Sequence, residues 1–158
     1  MGAIVAHEVA QHLRAIGAQE PTHLYVSARA APQLQNNGDP LRFLNDEEFM
    51  DRLHKAYGAV PEAIRNSVEM QSVFLPILRA DVELLETHVD TSIAPLDYPI
   101  TAFGGASDPA ISAAMLAGWR ERTNSDFAQH EFAGDHFFIH AQREGIMAIV
   151  GDDLSPLR

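Results

Sequence analysis

Hydrophobic positions follow two alternating periods along the chain, and these periods predict helices separated by short strands. The apolar residues of segment 4–16 have helical spacing, which predicts a helix that ends at Gly17, a typical C-cap, and that buries Ile4, Val5, Val9, Leu13 and Ile16. Residues 23–27 form a short aromatic and β-branched run, which predicts a buried strand. A helix followed so soon by a strand favours an α/β protein.

The middle of the chain, residues 46–86, predicts several short helical pieces. Asn45 and Glu48 have the spacing of a capping box, and Gly58 is placed to end the helix that they begin. Pro61 begins the next piece, and we expect Pro76 to break or kink the long apolar segment that follows. The apolar residues 73–85 either pack in the core or line a pocket for an apolar chain; the pattern leaves both open.

Two further strands are predicted in the last third of the chain. The first spans residues 99–103 and ends at Gly104 and Gly105; a helix follows over residues 110–122. The second spans residues 126–132 and precedes an amphipathic closing helix. Strands that alternate with helices predict an α/β fold with a mostly parallel sheet.

Composition narrows the class of protein. The 158 residues have the size of one domain, and the 46% apolar fraction is typical of a globular protein. Eleven basic and 22 acidic residues give a net charge of −11, which disfavours nucleic acid and anionic membrane surfaces as partners. The absence of cysteine excludes disulfides, thiolate zinc sites and cysteine nucleophiles. We expect a cytoplasmic protein, because the start of the chain does not resemble a signal peptide.

Two side chains that carry chemistry follow neighbouring strands. Asp108 comes after the second strand on a glycine-containing loop, and His136 comes after the third. Ligands of open parallel sheets bind at the carboxyl ends of the strands, so an Asp and a His there can form an acid-oriented general base. The alternative is structural: Asp108 caps the following helix and His136 is a turn residue.

Other polar clusters give weaker signals. His7, Glu8 and His12 resemble a zinc-protease motif, but the two histidines are five residues apart and do not share a helix face, so we expect a solvated face. His136 and His140 are four apart, yet no third ligand has clear spacing. No phosphate-binding glycine motif occurs. The sequence predicts neither a metal nor a cofactor.

Four blocks of sequence together point to a family. Residues 75–81 (LPILRAD), 95–101 (PLDYPIT), 104–109 (GGASDP) and 134–138 (GDHFF) resemble the type II thioesterases, in order and in spacing. These α/β-hydrolases accompany nonribosomal peptide and polyketide assembly lines in antibiotic biosynthesis. The resemblance covers essentially residues 1–158. It implies a helical lid insertion at about residues 39–86 and no cofactor.

The resemblance also implies a Ser-His-Asp triad. Asp108 matches the triad acid and His136 the base, while Met1 matches the residue whose backbone N–H donates to the oxyanion. The family's nucleophile lies in a G-x-S-x-G elbow, and residues 1–6 resemble what directly follows its serine. We therefore expect the C-terminal part of a larger α/β-hydrolase domain, without the serine and the N-terminal strands, and with an altered oxyanion donor. His7 departs from the aromatic residue common in the family.

The function implied is hydrolysis of acyl or peptidyl thioesters on the phosphopantetheine arm of carrier proteins. Without its serine, this chain is expected to be inactive alone, whether it reflects a misassigned start codon, a truncated gene or a split enzyme. The first strand is then a bare apolar edge, which favours aggregation or pairing with the missing N-terminal part. Two alternatives stay open: a non-catalytic carrier-binding module, and an esterase or amidase of the same fold.

Overall fold

The computed structural model describes residues 1–34, 39–58, 60–91 and 94–155. The predicted loop residues 36–38 lie outside these ranges. Helices and strands follow one another in the order α1 (Gly2–Ala15), β1 (Leu24–Ser27), α2 (Asp46–Tyr57), α3 (Glu62–Arg65), α4 (Val68–Thr87), β2 (Ile100–Gly105), α5 (Ala113–Ala117), β3 (Phe127–Phe132) and α6 (Arg143–Leu154). Short 3₁₀ helices lie at Leu41–Phe43, Gly118–Arg122 and Phe138–His140.

The strands form a parallel sheet, which confirms the predicted α/β class. Among the described residues the order is β1-β2-β3, with Leu24 aligned with Ile100 and Ile100 aligned with Phe127. All six residues of β2 are buried, because this strand is paired on both sides and covered on both faces. Gly104 and Gly105, predicted to follow the strand, belong to it. β1 lies at one edge of the sheet, as expected.

Helix α1 packs on the sheet with a different face from the one predicted. Its buried residues are Ile4, His7 and Ala10, whereas Val5 and Val9 are 44% and 51% exposed. The prediction of a solvated face for His7 is therefore wrong, since its side chain is fully buried beside Trp119. The cause is that residues three apart, starting at Ile4, point to the core. The helix ends before Gly17, which has a φ of 65°.

The segment between β1 and β2 is helical, as predicted. The Asn45 side chain accepts a hydrogen bond from the Glu48 N–H, and Gly58 ends α2 in the left-handed conformation. Helix α4, however, runs unbroken through Pro76. Of the two predicted effects of this proline, the break is therefore wrong, and the kink stays a prediction. A proline removes one helical hydrogen bond. Tertiary packing offsets this loss, because Leu75 and Leu78 of the same helix pack against the apolar cluster of α2.

The helical segment has a small core of its own and is tied down at its ends. Phe49, Met50, Leu53 and Val60 are buried together. The carboxylate of Glu86, at the end of α4, accepts hydrogen bonds from the backbone N–H groups of Leu41 and Arg42 and pairs with the Arg42 guanidinium at 3.1 Å. The beginning and the end of the segment are thereby joined.

The region after β2 is less helical than predicted. Residues 113–117 form α5, the end of the predicted helix is the 3₁₀ turn at Gly118–Arg122, and residues 110–112 are not helical. Trp119 in this turn is fully buried, and its indole N–H donates to the Arg29 carbonyl at 2.8 Å. This contact anchors the turn to the residues that follow β1. No helix in the described part of the chain is both long and apolar enough to cross a membrane.

Candidate active site

The loops that follow β2 and β3 are joined by backbone hydrogen bonds. Ala106 N–H donates to Phe132 O at 2.8 Å, and Ser107 N–H donates to Gly134 O at 2.9 Å. A Cβ atom on Gly105 would overlap the carbonyl oxygen of Asp135 and lie 2.7 Å from that of Gly134. Only glycine allows so close an approach of the two backbones, so the sequence at this point fixes the distance between the loops.

Asp108 lies on the first of these loops, and both oxygens of its fully buried carboxyl group have partners. Oδ1 accepts hydrogen bonds from Ala110 N–H at 2.8 Å and Ile111 N–H at 3.2 Å. Oδ2 lies 2.8 Å from Nδ1 of His136. Oδ1 thus holds the backbone of the loop, while Oδ2 contacts the candidate general base. The helix cap suggested for Asp108 is wrong, because the N-cap of α5 is Ser112.

His136 is held in one tautomer by this contact. A carboxylate only accepts hydrogen bonds, so the proton of a neutral imidazole lies on Nδ1 and the lone pair on Nε2. The ring of Tyr57 lies 4.8 Å from the imidazole, and that of Phe137 lies edge-on at 5.3 Å. The imidazole is 19% exposed. An oriented, accessible Nε2 lone pair can act as a general base.

His136 lines a cavity of about 310 Å³ between the sheet and the helical segment. Most of its lining is apolar and comes from α2, α4 and the loops at the sheet edge: Met1, Ala28, Arg29, Leu53, Tyr57, Leu78, Asp81, Val82, Leu85, Ile111, His136 and Phe137. We call it the His136 cavity. The sequence left open whether the apolar residues of α4 pack in the core or line a pocket. Leu78 and Val82 do both, because they pack in the helical core and also line this cavity.

Met1 lies in the same cavity as His136. Burial, and then the Arg29 guanidinium, lower the pKa of the Met1 amino group, while Asp81 opposes them. The Met1 nitrogen is thus close to polar groups of the cavity wall. The structure brings together Asp108, His136 and Met1, the residues that the sequence analysis selected.

Two lining residues were not selected from the sequence. The buried Nε of Arg29 has no hydrogen-bond partner, and burial lowers the pKa of the guanidinium. Arg29 follows the carboxyl end of β1, so the rule that selected Asp108 would also have found it. Tyr57 comes from α2, and no local pattern shows that this helix meets the sheet edge. His140, the suggested partner of His136 in a metal pair, is exposed and stacks on Phe137.

Comparison with known proteins identifies relatives across nearly the whole chain. Residues 1–154 match the family model described as "Thioesterase domain". The chain is 36% identical over 156 residues to linear gramicidin dehydrogenase LgrE of Brevibacillus parabrevis, and this match covers 98% of the chain and 59% of that protein.

Solved structures agree. The thioesterase RedJ from the prodiginine pathway of Streptomyces coelicolor superposes with a TM-score of 0.86 at 33% identity, covering 96% of this chain and 59% of that one. The type II thioesterase BorB from the borrelidin biosynthetic cluster superposes with a TM-score of 0.76 at 31% identity, covering 95% of this chain and 57% of that one. The chain therefore spans less than two thirds of the relatives it matches. The match over residues 1–154 shows that the chain belongs to the thioesterase domain family.

Proposed function

We propose that this chain carries the acid, the base and the acyl pocket of an enzyme that hydrolyses acyl or peptidyl thioesters on carrier proteins. The observation that carries the proposal is the 2.8 Å contact between Asp108 and His136 at the wall of an apolar cavity. Membership of the thioesterase domain family supports the reaction class, and the likeness to the type II thioesterase BorB supports the type II assignment.

The proposed chemistry is acyl transfer to water through a serine. His136 Nε2 takes the proton from the serine hydroxyl as Oγ bonds to the thioester carbon, and the imidazolium then protonates the departing thiol sulfur. Asp108 holds the tautomer and stabilises the imidazolium. In the second half His136 takes a proton from water, whose oxygen bonds to the acyl carbon, and returns that proton to Oγ. The products are a free carboxylic acid and the carrier thiol.

The nucleophile in this proposal is a serine that these residues do not contain. Of the described serines, none places its hydroxyl within hydrogen-bonding distance of His136, whose polar contact is with Asp108. Met1 lines the same cavity, and in this proposal its backbone nitrogen donates to the oxyanion. These 158 residues alone are then inactive.

The helical segment at about residues 39–86 acts as the lid in this proposal. Its contribution to the cavity is mostly apolar, through Leu53, Leu78, Val82 and Leu85, with Tyr57 and Asp81 beside them. Such a lining binds an alkyl or acyl chain by burial of apolar surface. The partner is a carrier protein that presents its phosphopantetheine arm beneath this segment.

The test uses a longer form of the protein that includes the part its relatives have in addition. Asp108→Asn should lower kcat for an acyl-pantetheine thioester by about 10⁴-fold, because the amide favours the wrong imidazole tautomer. Asp135→Asn is the matched control: this side chain accepts a hydrogen bond from Phe137 N–H and does not contact His136. It should stay within a few-fold of the parent.

A comparable loss in both variants would contradict the assignment of the acid. An oxygen ester of the same acyl group separates the alternatives. Faster hydrolysis of that ester than of the thioester would favour an esterase. Binding of carrier protein by the longer form without any turnover would favour the non-catalytic module.

A further inference from the structure

We propose that His7, Glu8 and Asp90, with His88 beside them, form a binding site for Zn²⁺ that is separate from the Asp108–His136 pair. One potential ligand atom from each of His7, Glu8 and Asp90 lies within 4.8 Å of the others. His88 Nε2 lies 2.9 Å from Oε1 of Glu8. Two imidazoles and two carboxylates are a ligand set that zinc accepts.

The ligand atoms, which lie within 4.8 Å of one another, must move closer together to hold an ion. Zinc with ligands at 2.0–2.2 Å in a tetrahedron separates those ligands by about 3.4 Å. His7 Nδ1 and Glu8 Oε1 are already 3.8 Å apart. Side-chain rotations of Glu8 and His88 can supply the remainder, because both lie at the rim, with Glu8 39% exposed.

The strongest sign of a ligand is the buried nitrogen of His7. Its side chain is fully buried, and Nδ1 has no hydrogen-bond partner, although it points toward Glu8. An unpaired buried polar atom is costly and rare in folded proteins. A metal ion would supply the missing partner. Trp119 already holds the ring in place through an edge contact at 5.7 Å.

The other ring nitrogen of His7, Nε2, lies beside a side-chain amide that can orient the ring as a metal ligand. Gln11 places its amide 3.4 Å from Nε2. With zinc on Nδ1, the ring proton lies on Nε2, and Gln11 accepts it after turning its amide oxygen toward the ring. That turn gives up the Gln11 hydrogen bond to Ala94 O. The competing arrangement keeps the proton on Nδ1, facing the carboxylates.

Charge also favours a cation at this place. Burial lowers the pKa of His7, so the ring is neutral and available as a ligand near neutral pH. Glu8 and Asp90 contribute two negative charges, and Arg122, paired with Asp90, contributes one positive charge. His88 lies against Glu8 from the other side. With neutral histidines the cluster has a net charge of −1. A bound divalent ion changes this charge to +1.

An entry path leads to the cluster. A cavity of about 490 Å³, distinct from the His136 cavity, is lined by Ile4 and residues 85–90, including His88 and Asp90. A bound ion would join α1 to the residues that follow α4, and would therefore stabilise the base of the helical segment.

The test is Zn²⁺ binding by the tag-free chain after EDTA treatment and dialysis. We expect one ion per chain by calorimetry, and a rise in Tm of roughly 5 to 10 °C when free Zn²⁺ is about 100-fold above its Kd. Co²⁺ should give the intense visible absorption of a tetrahedral site. His7→Phe, which keeps a ring against Trp119, should weaken binding by at least about tenfold. His12→Phe is the control, because His12 is exposed on the same helix.

Glu8→Gln provides a second variant at a partly exposed position, and it should weaken binding even if His7→Phe does not fold. Failure of Zn²⁺ to bind, binding unaffected by both variants, or equal loss in His12→Phe would overturn the proposal. None of these outcomes depends on catalysis, so the proposal can fail while the proposed function stands, and the reverse.

Discussion

Substitution of Gly105 by alanine tests how the catalytic geometry is built. The new Cβ would meet two backbone carbonyl oxygens, those of Gly134 and Asp135, which cannot move aside as a flexible side chain would. The loop after β3 would have to shift away from β2. That shift separates the loops that carry Asp108 and His136, whose side chains are 2.8 Å apart.

The size of the effect follows from the contacts that the shift disturbs. Gly134 O accepts a hydrogen bond from Ser107 N–H, and Asp135 O accepts one from Phe138 N–H. Losing or stretching both costs about 1–2 kcal/mol, and overpacking adds about 1–3 kcal/mol. For a chain of this size each kcal/mol lowers Tm by about 2–4 °C. We therefore expect a fall in Tm of roughly 5 to 15 °C.

Calorimetry measures the stability, and the Nδ1 proton resonance of His136 in ¹⁵N-edited NMR measures the contact with Asp108. Gly151→Ala is the matched control. Gly151 is an exposed residue of helix α6 with open space at its Cβ, so alanine there should be stabilising by about 0.5–1 kcal/mol. A Gly105→Ala variant that melts with the parent and keeps the His136 resonance would refute the close-approach explanation.

The remaining predictions concern stability. Glu86→Gln should lower the free energy of unfolding by about 1.5–3 kcal/mol in thermal unfolding, because the carboxylate loses charge-assisted hydrogen bonds to residues 41 and 42. Glu83→Gln, at an exposed position of the same helix, should leave it unchanged. Trp119→Phe should cost about 1–3 kcal/mol, because it leaves the Arg29 carbonyl without its indole donor. Burial lowers the pKa of His7 below 6.5, so the unfolded chain binds a proton at a higher pH than the folded chain does. With EDTA present, the free energy of unfolding should therefore be fully retained above about pH 6.5 and decline below it. The decline should be less steep in His7→Phe. A pH profile identical in His7→Phe, or an equal loss in Glu83→Gln, would contradict these explanations.

The parallel sheet and the Asp–His contact could be predicted from local patterns. β1 and β2 are short, mostly apolar runs, and β3 alternates apolar and polar residues. Parallel strands bring their carboxyl ends to one edge of a sheet. The positions of Asp108 and His136 after neighbouring strands therefore predicted an acid-oriented general base as one of two alternatives, the other being purely structural. The first alternative needs the two side chains in contact, and they lie 2.8 Å apart.

The rest of the site depends on packing between distant segments. Helix α4 continues through Pro76 because its neighbours hold it against α2, and no local rule includes them. His7 was placed on the wrong face because the helix pattern has apolar residues on more than one side. The segment with His88 and Asp90, which lies beside His7 and Glu8 in the fold, is about 80 residues away in sequence, so no local pattern relates them.

The central claim is that Asp108 and His136 serve a serine that these 158 residues do not contain. A fluorophosphonate probe, followed by peptide mass spectrometry, tests it most directly. In the longer form of the protein, the probe should modify one serine outside these residues, and His136→Ala should abolish the labelling. The 158-residue chain should remain unlabelled. Labelling of a serine within this chain, or labelling of the longer form that persists in His136→Ala, would contradict the claim.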